Sequence, residues 1–545
     1  MYFTWEEFPL MTPEQLQHSG NPSAPVVVVG AGPVGLAVAL GLARQNVASI
    51  VLERRTTIST GSRALAMTRR SMQILDQLGV GESVFDMGVK WSEGWTYYGT
   101  ELVHYMDIAK PQNEKHGQTN LQQCWMEKLL LDEIAKTSLV SVRFGHEVVG
   151  IREDAEGVDI QVRTAAGDYA MQAQYLVAAD GPRGTTRRYL DMDYEGTSYT
   201  QRFVINDIIC KLPIPSGRRL FFSPAYLPGK AVLMHQAPFD MWRLDFQLLD
   251  DQDADEEMQP EKVHKRIRAH FDLMGLDPDY ELLLTSVYKT NALSLPTYNK
   301  GRIIFAGDAA HQVPIFGGRG VNHGYADAHN LAWKLAMVVN GTGHANLLNT
   351  YTQERRGAIL DTLAELTKTT LFITTPSAGI ALVREAVLSL SLSENFLNNL
   401  FDPYASAPYE YTDSALNTLA PEENRFDKRC RPGAIAPDAI VGPDGQRLYD
   451  QLGYVFTVLS FVEQAGAAGA RALADGLKSA PIPVKVVELA VDTDAARLFD
   501  AQAGTVYLLR PDNRVAARWR QGSARAIIEA LDHATQGSNL LLETH

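Results

Sequence analysis

The sequence predicts an α/β fold: a doubly wound domain with a second β-sheet inserted into it, then a separate α/β unit beyond a connector. Three observations predict it. The buried-strand run Val26–Val29 leads into Gly30-Ala-Gly32-Pro33-Val-Gly35 and a small, apolar helical stretch, and the next apolar run, Ile50-Val-Leu, ends on Glu53. Two later apolar runs, Tyr175–Ala179 and Arg302–Ala306, end on Asp180-Gly181 and Gly307-Asp308. Between them, from about 195 to 290, aromatic-rich strands and turns replace the alternation of strand and helix, as an inserted sheet would.

A chain of 545 residues exceeds one simple core. Its formal charge of −14, with no Lys/Arg-rich run, argues against nucleic-acid or anionic-membrane partners. Cys124, Cys210 and Cys430 lie far apart, with no C-x-x-C and no metal-ligand spacing. No metal is expected, and the thiols suit a reducing cytoplasm. Residues 1–24 read as an N-terminal extension: they carry Glu6 and Glu7 and lack the basic and apolar regions of a signal peptide. The least polar later stretch, Thr370–Val383, is too short to span a bilayer. The acidic run Asp250–Glu257 reads as a solvated loop.

Residues 25–54 form the opening βαβ unit with the G-x-G-x-x-G spacing. Gly30 permits the tight turn, Gly32 lets a pyrophosphate approach the backbone, and Gly35 allows close helix–strand packing. N–H groups at the helix start face the phosphates, and Glu53 accepts from ribose hydroxyls. An adenine dinucleotide is therefore expected here. Apolar periodicity predicts helices over 62–80, ending at Gly79, and over Met126–Ala135, with strands at 140–151 and 158–164. The doubly wound domain is assigned to 25–194 and 291–402, and the inserted sheet to 195–290. After Gly307-Asp308, the run Gly317-Gly318-Arg-Gly320-Val321-Asn322 opens a helix to Val339, and a second helix spans about Leu347–Thr370. Residues 403–432, rich in Pro, Asp, Ser and Asn, read as a linker. The unit over 433–545 has strands at Tyr454–Val462, Val484–Leu489, Val506–Leu509 and Val515–Trp519, and helices at 465–476 and 523–534. That order resembles a thioredoxin-like domain without the C-x-x-C that thiol–disulfide chemistry needs, so a stabilising or oligomerising role is expected.

Taken in order, the three motifs resemble those of the class A flavoprotein monooxygenases, the FAD-dependent aromatic hydroxylases, over about residues 25–370. The trailing unit is similar to that of the longer members: phenol hydroxylase, pentachlorophenol monooxygenase, 3-(3-hydroxyphenyl)propionate hydroxylase and polyketide hydroxylases. The resemblance implies an FAD-binding Rossmann-like domain of the p-hydroxybenzoate hydroxylase type. It implies that Gly30, Gly32, Pro33, Gly35, Glu53 and Arg54 hold the ADP half of FAD, that Arg63 approaches its phosphates and that Gln123 contacts it. Asp180 would serve FAD and NAD(P)H, and Gly307 and Asp308 the ribityl chain. The run Gly318, Gly320, Val321 and Asn322 would set a helix N-terminus against the isoalloxazine pyrimidine edge, where reduced flavin carries negative charge. Two positions depart from the family pattern: Gly184 stands where a Ser is usual, and Pro314-Ile315 where Pro-Pro is common.

The resemblance also implies the cycle. NADH or NADPH, docking transiently, reduces FAD; O2 then gives a flavin C4a-hydroperoxide whose distal oxygen attacks an electron-rich ring. A substituted phenol in aromatic catabolism is the expected substrate, in a cytoplasmic homodimer. A polycyclic polyketide hydroxylase and a flavin reductase without oxygen insertion are the alternatives; no W-x-W-x-I-P halogenase motif is present. Phenol activation calls for a general base, and Ser62-Arg-Ala-Leu lacks the carboxylate that phenol hydroxylase-like members place there. The inserted sheet offers His235, Tyr226 and Arg243, each equally readable as a packed sheet residue, and Pro314 stands in the loop nearest the expected substrate.

Overall fold

In a computed structural model the described residues are 3–10, 23–61, 64–108, 114–394, 396–397, 408–442, 444–464 and 468–536. The first sheet runs Asn299–Lys300, Ile303–Phe305, Gly167–Ala178, Ser23–Val29, Ser49–Glu53, Val140–Phe144. Its core is parallel: Val27 pairs with Leu176 on one side and Ile50 on the other, and Leu176 pairs in turn with Ile303. Burial on both faces explains the uninterrupted valine run. The strands Glu147–Glu153 and Val158–Thr164 extend this sheet as an antiparallel meander on the first half of Gly167–Ala178.

Helix Pro33–Arg44 lies so close to helix Gly320–Val339 that a Cβ at Gly41 would stand 2.8 Å from the Ala332 methyl. The helix expected over 62–80 is shorter, Arg69–Leu78, and is preceded by the two-residue strand Ala66–Met67. The reason is local. The Thr68 hydroxyl accepts from the Ser71 N–H and starts the helix, and Gly79 stops it at φ +93°. Helix Gln123–Ile134 begins three residues before its expected start at Met126.

The second sheet is larger than the assigned 195–290. Its order is His311–Gln312, Glu281–Ser294, Glu195–Ile209, Met241–Gln247, Ala231–Ala237, Arg218–Phe222, Glu93–Tyr98, Glu101–Asp107. The hairpin Glu93–Asp107 comes from before the insertion and joins it by parallel pairing, Leu220 opposite Thr96. Helix Pro260–Leu273 covers the outer face, packing Val263, Ile267 and Phe271 against Trp242, Leu244 and Phe246. The acidic run is also more ordered than a solvated loop: Asp253 caps the short helix Ala254–Glu257, and the buried Glu257 pairs with Arg266 and Lys262.

From 408 on, the stretch read as a linker is packed, with Tyr411, Leu416, Phe426 and Cys430 all buried. Its polar composition hides the apolar residues that seal it between the other units. The last unit has a four-stranded sheet, ordered Val484–Ala490, Phe456–Val462, Val506–Leu509, Val515–Trp519, with the first pair parallel and the others antiparallel. Helices Ala468–Leu477 and Ala524–Gln536 accompany it, together with the unforeseen short helix Asp494–Leu498; residues 465–467 of the expected helix lie outside the described residues. Among the described residues no single helix is long and apolar enough to cross a membrane; the pair Ala345–Thr374 and Ala378–Ser391 passes on length and composition but is bent by 88°.

Candidate active site

The three glycines of the first motif divide by what a side chain would meet. Gly30 sits at φ +106°, and a Cβ there would stand 2.5 Å from the Ala179 carbonyl oxygen; one at Gly35 would overlap the Gly30 carbonyl oxygen. At Gly32 a Cβ would meet nothing within 4 Å among the described residues. Gly30 and Gly35 thus serve the fold, and Gly32 leaves open space over the first turn of helix Pro33–Arg44, which no side chain caps. Uncapped N–H groups facing open space suit a pyrophosphate.

Glu53 closes this cradle. Its carboxylate accepts from the Ala31 N–H (2.9 Å) and from the Arg55 N–H and Nε (3.0 and 2.9 Å). Burial opposes ionisation, but Arg55 and the two backbone donors outweigh it and hold the carboxyl below its usual range. Arg54, expected to help, is exposed; Arg55, just past the strand, binds Glu53 instead. Arg63 lies outside the described residues. Gln123 donates to Ser59 Oγ (3.1 Å) and to the buried carboxylate of Glu127 (2.8 Å). Its neighbour Gln122 is fully buried, and neither amide atom has a partner among the described residues. Residues 3–10 cross this region: Trp5 Nε1 donates to the Ser59 carbonyl (3.0 Å), Phe3 meets Trp125 edge-on and Phe8 stacks on Phe144. A cavity of about 260 Å³ lies beneath, lined by Phe3, Trp5, Ser59, Cys124, Asp207 and Leu283 among others.

Tyr194 bridges the chain after the second motif to the third: Arg187 lies over its ring at 4.7 Å, and its hydroxyl donates to the Asp308 carbonyl (2.8 Å). The Asp180 carboxylate accepts from the Thr186 N–H (3.0 Å), and burial raises its pKa. A Cβ at Gly184 would overlap that carboxylate, so a Ser there requires the Asp180 side chain to shift. Gly184→Ser is expected to displace Asp180, to cost about 1–3 kcal/mol of stability and to lower the bound-flavin fraction. Thermal unfolding and flavin absorbance check this; wild-type values in both would refute it.

Gly307 turns at φ +60°, and its N–H donates to Asp327 (2.9 Å). Asp327 also binds His311 Nε2 (2.7 Å) and Arg355 Nε (2.7 Å), and those two partners overcome its burial to keep it ionised. Sequence reading missed this anchor, which sits unmarked inside a helical pattern. Asp308 is half-buried beside the anchored turn. Gly317 and Gly318 take φ +84° and +64°, and Gly320 opens the helix with Val321 partly buried behind it. Asn322 ties the helix start down: it donates to the Ala66 and Gly318 carbonyls and accepts from the Thr68 N–H.

Pro314 is buried in the loop before these glycines, and the Ile315 carbonyl accepts from the Gly318 N–H (3.1 Å). Phe316 then meets Phe203 of the second sheet edge-on at 5.6 Å, and Phe203 stacks on Tyr288 at 5.4 Å. The glycine loop therefore abuts the inner face of that sheet. Three expected base candidates fail there. Tyr226 lies on the outer face, bound to His270 (2.7 Å) with its pKa raised by burial. Arg243 is locked bidentate to Asp207 (2.8 Å each). His235 is lowered to about 3 by burial and by Arg218, Arg243 and Arg219, too weak to take a phenol proton.

The inner face holds a residue the sequence reading passed over. Along Met241–Gln247, Trp242, Leu244 and Phe246 face the outer helix, so Arg243, Asp245 and Gln247 face inward. Gln247 is used structurally, donating to the Thr374 carbonyl (3.0 Å). Asp245 is 6% exposed and its Oδ1 has no partner; burial pushes its pKa up to about 7, against Arg243 and with Asp207. The buried Tyr288 hydroxyl is also without a partner among the described residues. Alternating polar residues in an otherwise apolar strand were the available signal. The larger cavity, about 390 Å³ between Trp95, Arg219 and Met274, opens on the far face, away from every motif. Asp76, Glu82 and His116 converge as metal ligands would, but the Lys115 ammonium already stands 2.6 Å from Glu82.

Comparison with known proteins places this geometry. The model of the FAD binding domain family matches residues 23–365. The chain is 29% identical over 533 residues to a 3-(3-hydroxy-phenyl)propionate/3-hydroxycinnamic acid hydroxylase of Burkholderia cenocepacia (strain HI2424), covering 90% of this chain and 93% of the relative. Among solved structures it is similar to the flavin-dependent monooxygenase PieE in complex with FAD and substrate, with TM-score 0.81, 22% identity and coverage of 95% and 100% of the two chains. It is also similar to aklavinone-11 hydroxylase with FAD and aklavinone, with TM-score 0.78, 24% identity and coverage of 95% and 99%. At these identities the two structures speak for the fold.

Proposed function

Because the chain belongs to the FAD binding domain family, we propose that it is a single-component, NAD(P)H-dependent monooxygenase that hydroxylates a phenolic ring. The observation that carries this reading is the junction through Phe316, where the glycine loop before Asn322 abuts an inner sheet face with unpaired Asp245 and Tyr288 groups. Bound FAD would supply the redox chemistry, taking electrons from the nicotinamide and passing one oxygen atom from O2 to the ring.

The chain's own residues bind and orient. Open space at Gly32 admits the pyrophosphate, Glu53 takes the ribose hydroxyls once its ligand displaces part of its hydrogen bonding, and Gln122 offers an unpaired amide. The N-terminus of helix Gly320–Val339, held by Asn322, would offer its positive dipole end to the negative charge of a reduced flavin. Apolar walls from Phe203, Ile205, Leu233 and Phe316 exclude water from the reacting centre.

The strand order of the last unit supports a thioredoxin-like assignment, and the lack of a C-x-x-C supports a structural role. An apolar surface at Leu382, Leu390 and Leu392 supports the expected homodimer, and three free cysteines support a cytoplasmic setting.

The test is stopped-flow reduction of the FAD-loaded protein by NADH and NADPH with a panel of phenols, and mass analysis of the products. One phenol is expected to accelerate reduction at least tenfold and to gain one oxygen. Acceleration only by a polycyclic compound would move the substrate class to polyketides. Reduction without any oxygenated product would replace the reading with a reductase.

A further inference from the structure

Asp245 occupies the inner face of the second sheet at its centre. Across the ladder it pairs with Ile205, and Ile205 pairs with Ser286 on the next strand. One step along, Phe203 pairs with Gln247 and with Tyr288. Asp245 and Tyr288 therefore flank Phe203 on one face, and Phe203 touches Phe316 of the loop that leads to the glycine run. Buried side chains almost always have hydrogen-bond partners, and exceptions call for an explanation. Here a carboxylate oxygen, a phenol and His235 Nδ1 are all buried on the same sheet face without one among the described residues. Their surroundings, Phe203, Ile205, Leu220, Leu233 and Phe316, are apolar. Unpartnered polar groups on one face among apolar walls suit a small aromatic ligand with one hydroxyl.

Resting on the monooxygenase reading above, we propose that Asp245 is the proton acceptor for the substrate hydroxyl and that Tyr288 donates a hydrogen bond to the oxygen left behind. The step balances within the site. The phenol O–H bond breaks, its electron pair stays on the ring oxygen, and the proton passes to Asp245 Oδ1. The charged groups facing this exchange favour it. Arg243, on the same strand, is positive but already paired with Asp207 of the neighbouring strand. His235, on the other neighbour, stays neutral beside Arg218 and Arg219. Burial keeps the Asp245 carboxyl near pH 7, where a general base is effective, rather than in the ordinary acidic range.

Two readouts on the FAD-loaded protein test this, one without turnover. Infrared difference spectra on adding phenol at pH 8.5 are expected to show a protonated carboxyl appearing in wild type and absent in Asp245→Asn. Product formation in wild type is expected to fall about tenfold per pH unit below 7. In Asp245→Asn it should drop about 10²–10⁴-fold, lose that pH limb and recover with a polyfluorinated phenol that is already ionised. Tyr288→Phe should retain the carboxyl signal but weaken phenol binding. Unchanged flavin absorbance confirms that either variant has folded. No carboxyl signal in wild type, or an Asp245→Asn variant with the wild-type pH profile, overturns the assignment. If the carboxyl signal depends on Asp245 but wild type oxygenates no phenol, the monooxygenase reading fails and the proton-accepting site stands.

Discussion

Glu354→Gln is expected to cost the folded protein about 3–5 kcal/mol, the largest stability loss among single substitutions considered. Glu354 lies on helix Asn349–Thr374 and is 2% exposed. Its two oxygens bind Arg510 (2.6 and 2.9 Å) and Lys334 (2.8 Å), with Asn330 and Ser414 completing the set. Arg510 also binds Asp512, so two carboxylates face two cations with almost no water nearby. Removing one charge leaves Lys334 and Arg510 sharing Asp512. The lost stability is much larger than an exposed pair would give.

Burial opposes ionisation of Glu354, and Arg510 and Lys334 overcome it, holding its carboxyl well below the usual range. A depressed carboxylate stabilises fully above its unfolded pKa of about 4.3, and that contribution fades as pH falls below it. Urea unfolding at pH 7 and pH 4 checks both statements. The variant should lose most at pH 7, and the gap to wild type should narrow with acid. A loss under about 1 kcal/mol at pH 7 would show that the cluster relaxes around the missing charge. Because the cluster joins two helices of the first domain to the last hairpin, proteolysis should also release the C-terminal unit sooner.

Gly32→Ala is expected to raise the FAD dissociation constant at least 100-fold, about 2.7 kcal/mol, while leaving the apoprotein as stable as wild type. The added methyl meets no atom of the described residues, so the clash expected is with a ligand. Gly35→Ala is the contrast, because its methyl would overlap the Gly30 carbonyl and strain the turn itself. Flavin fluorescence titration and thermal unfolding separate the two. A Gly32→Ala protein that binds FAD normally would move the pyrophosphate away from this helix.

The glycine motifs were legible because each is a demand on the backbone, visible in residue type and spacing alone. The parallel core of the first sheet followed from them, since the runs Val26–Val29, Ile50–Leu52, Tyr175–Ala178 and Ile303–Phe305 are apolar without interruption. What stayed hidden depends on distant pairing. Nothing within Glu93–Asp107 announces that it will lie parallel to Arg218–Phe222. Glu354 and Arg355 sit in Gln-Glu-Arg-Arg, which reads as a solvated helix face, yet both are buried and paired across the chain. Asp245 was passed over for His235 because residue type was weighed without its electrostatic neighbours. Burial, helped by three nearby guanidiniums, disarms the histidine, and burial arms the carboxylate.

The strand order of the first sheet bears on how the chain is made. Val26–Val29 emerges early, but Gly167–Ala178, its neighbour, is itself completed by Ile303–Phe305 only after every strand of the second sheet except His311–Gln312 has been synthesised. At about 5–20 residues per second, the growing chain holds an apolar, unfinished sheet for roughly 15 s or more. Unpaired apolar strand edges exposed for that long invite aggregation, so co-expression of a chaperone that holds unfolded chains is expected to raise the soluble fraction.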